Sequence, residues 1–451
     1  MKTFRLLIAA TLIAQAASAQ SYSAPAGSET STVYLIAAYQ DAPSSSQEED
    51  CTPKGGRAMA NKAAVEAAIA DHEATMRTGY QALQQPLLII AQRENKFSFA
   101  VGGYISMRAG YDLDGSVSNI DFVTADIPVP GTYASNQKLM MDVTTSRVFA
   151  KGIINTSALG QVELFVDADY RGGTAGNYQP RVRSGYVSFL GFTVGRDVTT
   201  FCDLDAAVAT IDFEGPNAYN DNFATMVRYQ CNLANDHLSM GVAAEYPKFW
   251  GTYGANFTSL PQRVPDIPFY LQYEWGYARQ NHFRASGVIR NPYMYNKLTE
   301  QSTSLTGWGV QASGSLQGTT WICLKYSGVY GSAISQYIQD FTGMGIDFTP
   351  EPDNASKLQT TPMWGFQIGS EFMLSERTAM NAGYSTAAID NKNGYYSDDE
   401  YLRGEYIFGN LFYHVTPRFK MGGEYLYGRR KNVNNERNHA NRINLLAQFS
   451  F

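Results

Sequence analysis

The chain has 451 residues and a formal net charge of −6, which disfavours bulk nucleic-acid binding. Charged residues make up only 17% of it, below the roughly 25% usual in soluble proteins, while aromatics reach 13%. Mean hydropathy is −0.27, so apolar side chains are spread along the chain and no run of them is long enough to cross a membrane as a helix beyond the amino-terminal stretch.

Residues 1–19 read as a secretory signal peptide: Lys2 and Arg5 lead, Leu6 to Ala14 are apolar, and Ala17-Ser18-Ala19 fits a cleavage site. Residues 20–56 are rich in Ser, Ala and Pro, carry Glu48-Glu49-Asp50, and read as a disordered linker. Residues 57–91 read as a helical stalk, with helix expected from Arg57 to Gln85 and stopped by Pro86. Val65, Ile69, His72, Met76, Tyr80 and Leu83 form a narrow stripe near helical period. Such a stripe suits a short coiled coil with other copies of the chain, or a lone helix lying against the rest. His72 on it reads as a packing or register-setting residue, not a metal ligand.

From Phe97 to Phe451 the pattern changes to strands. In Gln161 to Arg171, Val162, Leu164, Val166, Ala168 and Tyr170 face one way, while Gln161, Glu163, Asp167, Asp169 and Arg171 face the other. Phe165 is the exception. A charge on the lipid side of a barrel costs up to about 2–4 kcal/mol near the midplane, so the charged parity marks a wet interior. About sixteen strands are expected, at 97–113, 139–151, 161–171, 181–190, 191–199, 222–232, 237–246, 267–278, 281–291, 305–316, 319–331, 361–375, 377–389, 399–415, 418–431 and 440–451. Tight turns such as Leu190-Gly191, Gln317-Gly318 and Thr416-Pro417 alternate with long links at 114–138, 200–221, 247–266, 292–304 and 332–360. A soluble sandwich has no reason to keep that alternation.

The fold class expected is therefore all-β: a transmembrane antiparallel up-and-down β-barrel over 97–451, with a short N-terminal helical (coiled-coil) extension. In the last stretch Ile443, Leu445, Ala447, Phe449 and Phe451 share a parity, and that strand is expected to pair with the first and close the wall. Sixteen strands enclose a water-filled lumen, which points to a passive channel for small hydrophilic solutes.

Extending the parity rule places Arg108, Arg147, Lys151, Arg181, Arg183, Arg228, Arg284, Arg290 and Lys325 on the wet face. Glu163, Asp167, Asp169, Glu245, Glu274, Glu371 and Glu424 are acidic candidates for the same face. One reading is a basic ladder that steers small anions, since guanidinium forks match carboxylates two bonds at a time. The other is that the acidic wall neutralises these side chains and they merely fill the barrel. Tyr246, Phe269, Tyr273, Trp275, Trp308, Trp364, Tyr425 and Tyr427 are expected outside, as girdle residues. Cys51, Cys202, Cys231 and Cys323 are expected unpaired, because Cys202 lies past the outer end of one strand and Cys231 near the inner end of the next.

Four stretches carry a family resemblance: Phe99 to Arg108 (FAVGGYISMR); Gly191 to Phe201 (GFTVGRDVTTF) running into Asp212 to Asn217 (DFEGPN); Asn410 to Arg430, with NLFYHVTPRF and GGEYLYGRR; and the end on Phe451. With the N-terminal helix, these make the chain resemble the DcaP-type porins, trimeric outer-membrane channels for small dicarboxylates. The resemblance implies a homotrimer in the lipid of a Gram-negative outer membrane, a periplasmic coiled coil, and passage of small anions such as dicarboxylates. By analogy with general porins, the third long loop, carrying Asp212 and Glu214, is expected to fold inward as a constriction.

A non-selective porin, a barrel enzyme and a surface adhesin are the alternatives. No HExxH or GxSxG occurs, and the five His scatter, so no catalytic residue, cofactor or metal is expected. Asp112 to Gly115 hints at calcium but lacks later ligands and reads as an outer turn. The segment before Phe97 is too short for an adhesin's passenger domain.

Overall fold

The computed structural model describes residues 33–37, 57–92 and 96–451, apart from 116–118, 133–134, 174–176, 221, 234–236 and 392–393. The expected signal peptide, most of the expected linker and Cys51 lie outside the described residues.

Alternating apolar and polar side chains fold into one closed barrel of sixteen antiparallel strands. In chain order these are β1 (Phe97–Asp114), β2 in two pieces (Lys138–Asp142 and Arg147–Thr156), β3 (Gly160–Asp169), β4 (Arg181–Phe189), β5 (Phe192–Val198), β6 (Phe223–Asn232), β7 (Leu238–Glu245) and β8 (Ile267–Trp275). The wall continues with β9 (Asn281–Arg290), β10 (Gly307–Thr319), β11 (Ile322–Ser332), β12 (Pro362–Ser375), β13 (Thr378–Ile389), β14 (Tyr401–Thr416), β15 (Phe419–Asn432) and β16 (Arg437–Ser450). Each strand pairs with its neighbour in the chain, and β16 returns to pair with β1. The interruption in β2 was not expected. Residues 143–146 bulge between its two pieces, and Ser146 Oγ accepts from Ser106 N at 3.0 Å.

The two faces of the wall differ as the pattern demands. Ile105 is 63% exposed on the outside, whereas its neighbour Ser106 is 2% exposed. Tyr246, Phe269, Tyr273, Trp308 and Tyr425 also lie exposed. At the seam, Phe451 N donates to Gly103 O at 2.9 Å and Gly103 N to Phe451 O at 3.0 Å. Deeper in, Arg442 grips Asp112 with both arms of its fork, at 2.6 and 3.1 Å, and both side chains are fully buried. At the short-turn rim, Leu190 and Gly191 have φ of 48° and 82°. Two left-handed residues make the turn whose twist matches the flanking strands.

The long links hold more order than a loop reading expects. Phe257–Ser259, Tyr293–Asn296 and Gln301–Ser304 form a small sheet, and Phe348–Glu351 pairs with Asn354–Thr360. Phe257, Met294, Phe348 and Leu358 bury a common core beneath them.

Before the barrel, helix α1 spans Arg57–Ala74 and stops well short of Gln85. Thr75 Oγ1 donates to Asp71 O at 2.8 Å, and Gly79 adopts φ of 86°. The final stripe positions Met76, Tyr80 and Leu83 are thus not helical. Glycine inside a helix costs about 1 kcal/mol, and here tertiary contacts reward an extended chain instead. Leu88–Gln92 then pairs with β1, Leu88 opposite Val101 and Ala91 opposite Ser98, continuing the line of β16 past the chain end. Val33–Ala37 pairs along its other edge. Cys231 and Cys323 are free thiols.

Candidate functional site

The loop after β5, residues 199–220, runs inside the barrel and is fastened to the inner wall along its length. Glu245 of β7 accepts from Thr199 Oγ1 (2.6 Å) and Thr200 N (2.7 Å) at its start. Asp203 takes Ser313 Oγ at 2.6 Å and lies 2.9 Å from His282 Nε2. Asn381 and Asn410 both donate to Ala209 O, at 3.1 and 2.9 Å. Glu424 receives the amides of Ile211 and Asp212, each at 2.8 Å. Two further loops fold in to meet it: Asp340 accepts from Thr124 N (3.1 Å), Asn217 Nδ2 (3.4 Å) and Tyr401 OH (2.8 Å).

Asp212 is buried in this loop, accepting from Phe122 N and Tyr406 OH, each at 3.0 Å. Burial, with Asp121 and Glu424 nearby, pushes its carboxyl up to about 7. Glu214 is half-buried beside it and adds to the negative field at Arg171.

Opposite the loop stands the basic wall. Arg108 pairs with Asp142 at 2.7 Å and with Asp121 at 3.2 Å, and Arg171 shares Asp121. Arg147 pairs with Asp167, and Lys151 Nζ lies 3.7 Å from Glu163. Arg181 and Arg183 share Asp169, at 2.6 and 3.4 Å. Arg228 shares Asp197 with Arg77, at 2.8 Å for its own contact. These side chains gather on β1 to β6 and the segments joined to them. The remaining basic residues stand elsewhere and hold loops. Arg284 donates to Thr200 O at 2.6 Å, and Lys325 to Ala207 O at 3.2 Å and Glu371 at 3.1 Å. Arg290, fully buried, pairs with Asp266 at 3.0 Å and donates to Ala333 O and Lys248 O, both at 2.5 Å.

Phe213 of the loop faces the wall, its ring 5.7, 4.6 and 5.1 Å from the guanidinium carbons of Arg108, Arg171 and Arg183. Nothing in strand parity could find it, since it sits on a loop without period.

The chain before β1 fills the rest of the gap. Arg77 meets Asp197, and Tyr80 N donates to Leu204 O at 2.9 Å while its ring packs edge-on to Tyr219. Gln81 bridges both sides: its amide donates to Phe213 O (3.0 Å), its carbonyl takes Arg147 (2.8 Å) and its Oε1 takes Arg183 (2.8 Å). Gln84 and Gln85 reach Pro417 and Arg418 across the short-turn mouth, at 3.3 and 3.0 Å. His72, with its Nε2 3.1 Å from Ser98 Oγ, is buried, and its carbonyl accepts from Lys151 at 3.4 Å. Burial and the Lys151 charge hold its imidazole down at about 4, hence neutral. A cavity of about 230 Å³ remains between Gln81, Arg108, Asp212 and Lys420, room for several waters. The sequence signal for this segment was Gly79 inside the expected helix.

Residues 87–246 match the family model described as DcaP outer membrane protein. The chain is similar to that family. The stretch that matches the DcaP model holds β1 to β7, the inward loop and most of the basic wall. Among solved structures, the outer membrane channel DcaP of Acinetobacter baumannii aligns with a TM-score of 0.69 at 16% identity, over 79% of this chain and 97% of that one. The anion-selective porin of Comamonas acidovorans aligns at 0.50 and 11%, over 79% and 100%. The trimer form of OmpT of Vibrio cholerae aligns at 0.50 and 11%, over 79% and 99%. At these identities the likenesses speak for the fold. No curated protein matches the chain.

Proposed function

We propose that this barrel is an outer-membrane channel and not an enzyme, a reading supported by the match to the DcaP model and by the porin fold. We propose that it conducts small hydrophilic anions, dicarboxylates among them. The carrying observation is the sharing of carboxylates on the basic wall: Asp169 serves both Arg181 and Arg183, and Asp197 serves both Arg77 and Arg228. At each of these two carboxylates, two guanidinium groups stand around one negative charge. A small dianion passing Arg108 and Arg183 exchanges part of its hydration for two-armed hydrogen bonds. The helix lies on the periplasmic side in this reading, because the short-turn rim is the periplasmic one in bacterial barrels. The trimer form of one porin of this fold supports a homotrimer.

A second reading, a porin without charge preference, is favoured by the same pairs, since every basic residue on the wall touches a carboxylate. Planar-bilayer reversal potentials under a salt gradient separate the two. The wild type should favour anions, and Arg147→Ala with Arg183→Ala together should weaken that preference. A wild-type potential at zero or favouring cations would sink the first reading.

A further inference from the structure

On the outside of the barrel the registers of β12 to β16 set the outward side chains in straight rows. One row runs through Tyr384, Ile407 and Tyr427. The next row toward the long-loop rim holds Glu405, Arg429 and His439. The one beyond it holds Arg403, Lys431 and Arg437. Successive same-face residues along a strand are about 7 Å apart, so these cations begin where the aromatic band ends.

That position matters energetically. Lipid-facing charges are costly at the bilayer centre but cost little near its interfaces, so outward cations just past a tyrosine row sit at headgroup level. Trp364 lies in line with Arg403 across the neighbouring strand. Glu405 holds Arg403 at 3.3 Å and Arg429 at 2.7 Å. Arg403 also donates to Thr386 Oγ1 at 3.0 Å and lies over the Trp364 ring at 5.7 Å. The two forks are therefore held in place before any ligand arrives. Lys431 and Arg437 have no carboxylate partner among the described residues. Together these side chains line an outward recess of about 670 Å³.

We propose that this recess binds the phosphate-bearing headgroup of a lipid in the leaflet on the long-loop side. Charge complementarity selects the occupant: several cations stand around one carboxylate, and fixed guanidinium forks fit phosphate oxygens two at a time. The acyl chains of such a lipid would lie on Ile407, Tyr427 and Tyr384, directly below. A free phosphate ion would gain the charge contacts but not that apolar row.

The full chain, purified in detergent, is titrated with phosphatidic acid and, separately, with diacylglycerol, the same lipid without phosphate; bound lipid is counted by native mass spectrometry. The expected result is retention of phosphatidic acid about tenfold tighter than diacylglycerol, a preference lost in R429S/K431S/R437S. Lys431→Glu alone, whose fold is checked by heat-modifiable migration, should show a partial loss and serves if the triple variant fails to fold. Equal retention of the two lipids, or an unchanged preference in both variants, would overturn the proposal. So would competition by inorganic phosphate alone, which would make this a free-anion site. A variant that changes oligomeric state and leaves lipid retention intact would assign the patch to contact between copies instead.

Discussion

The two walls of the lumen meet their loops in opposite ways. On β1 to β6 the inward side chains are long and charged, and they stand off from the loop across Phe213, Gln81 and a cavity. On β10 to β13 many are short, as in Ser313, Gly369 and Ser385, the longer Lys325 and Gln367 reach the loop backbone, and the loop lies directly on this wall. Ser385 Oγ accepts from Ala218 N at 3.0 Å, and Gln367 reaches Ala206 O at 3.5 Å. A Cβ on Gly365 would stand 2.8 Å from Ala218 Cβ, and one on Gly369 2.7 Å from Val208 Cγ2. Inward parity alone therefore does not make a residue pore-lining. Where the inward side chains are short, the position becomes the bed for a loop.

This contrast can be broken from either side. Deleting residues 57–85 removes Arg77, Tyr80 and Gln81 from the space before the charged wall, and single-channel conductance should rise severalfold. Unchanged conductance would mean that the segment does not obstruct the path. Arg147→Ala next strands Asp167, which is fully buried; breaking a buried pair from one side costs about 3–5 kcal/mol. Lumen water reduces that figure, but the temperature at which the heat-modifiable band is lost should still drop clearly. On the opposite wall, Gly369→Val presses on Val208 and should cost about 1–3 kcal/mol as overpacking. It should also raise current noise by loosening the loop, an effect readable in the same bilayer recordings. If Gly369→Val and Arg147→Ala changed conductance alike, the distinction between the walls would fail.

Much of the barrel was legible because lipid is an unforgiving solvent. Strand parity at Gln161 to Arg171, or at Asn441 to Phe451, must separate oil from water whatever else the chain does, so the pattern survives in the sequence. The tight turn at Leu190-Gly191 was legible for a similar local reason, its backbone twist. The site was legible in part. Parity placed Arg108, Arg147, Lys151 and Arg183 inside, but it could not show that Arg284 and Lys325 would be spent on holding a loop. Nor could it show the sheet formed by Phe257–Ser259 and Tyr293–Asn296, whose core is shared between distant links.

By itself the sequence determined which residues face lipid, how many times the chain crosses, and that the last strand meets the first. Those follow from short-range periodicity, which needs no knowledge of distant partners. Only the tertiary structure decided that the helix ends at Ala74, that Gln81 spans from Phe213 to the arginines, and that Asp169 and Asp197 each serve two cations. Such contacts join residues far apart in the chain, and their energies depend on burial and distance, which no local pattern records.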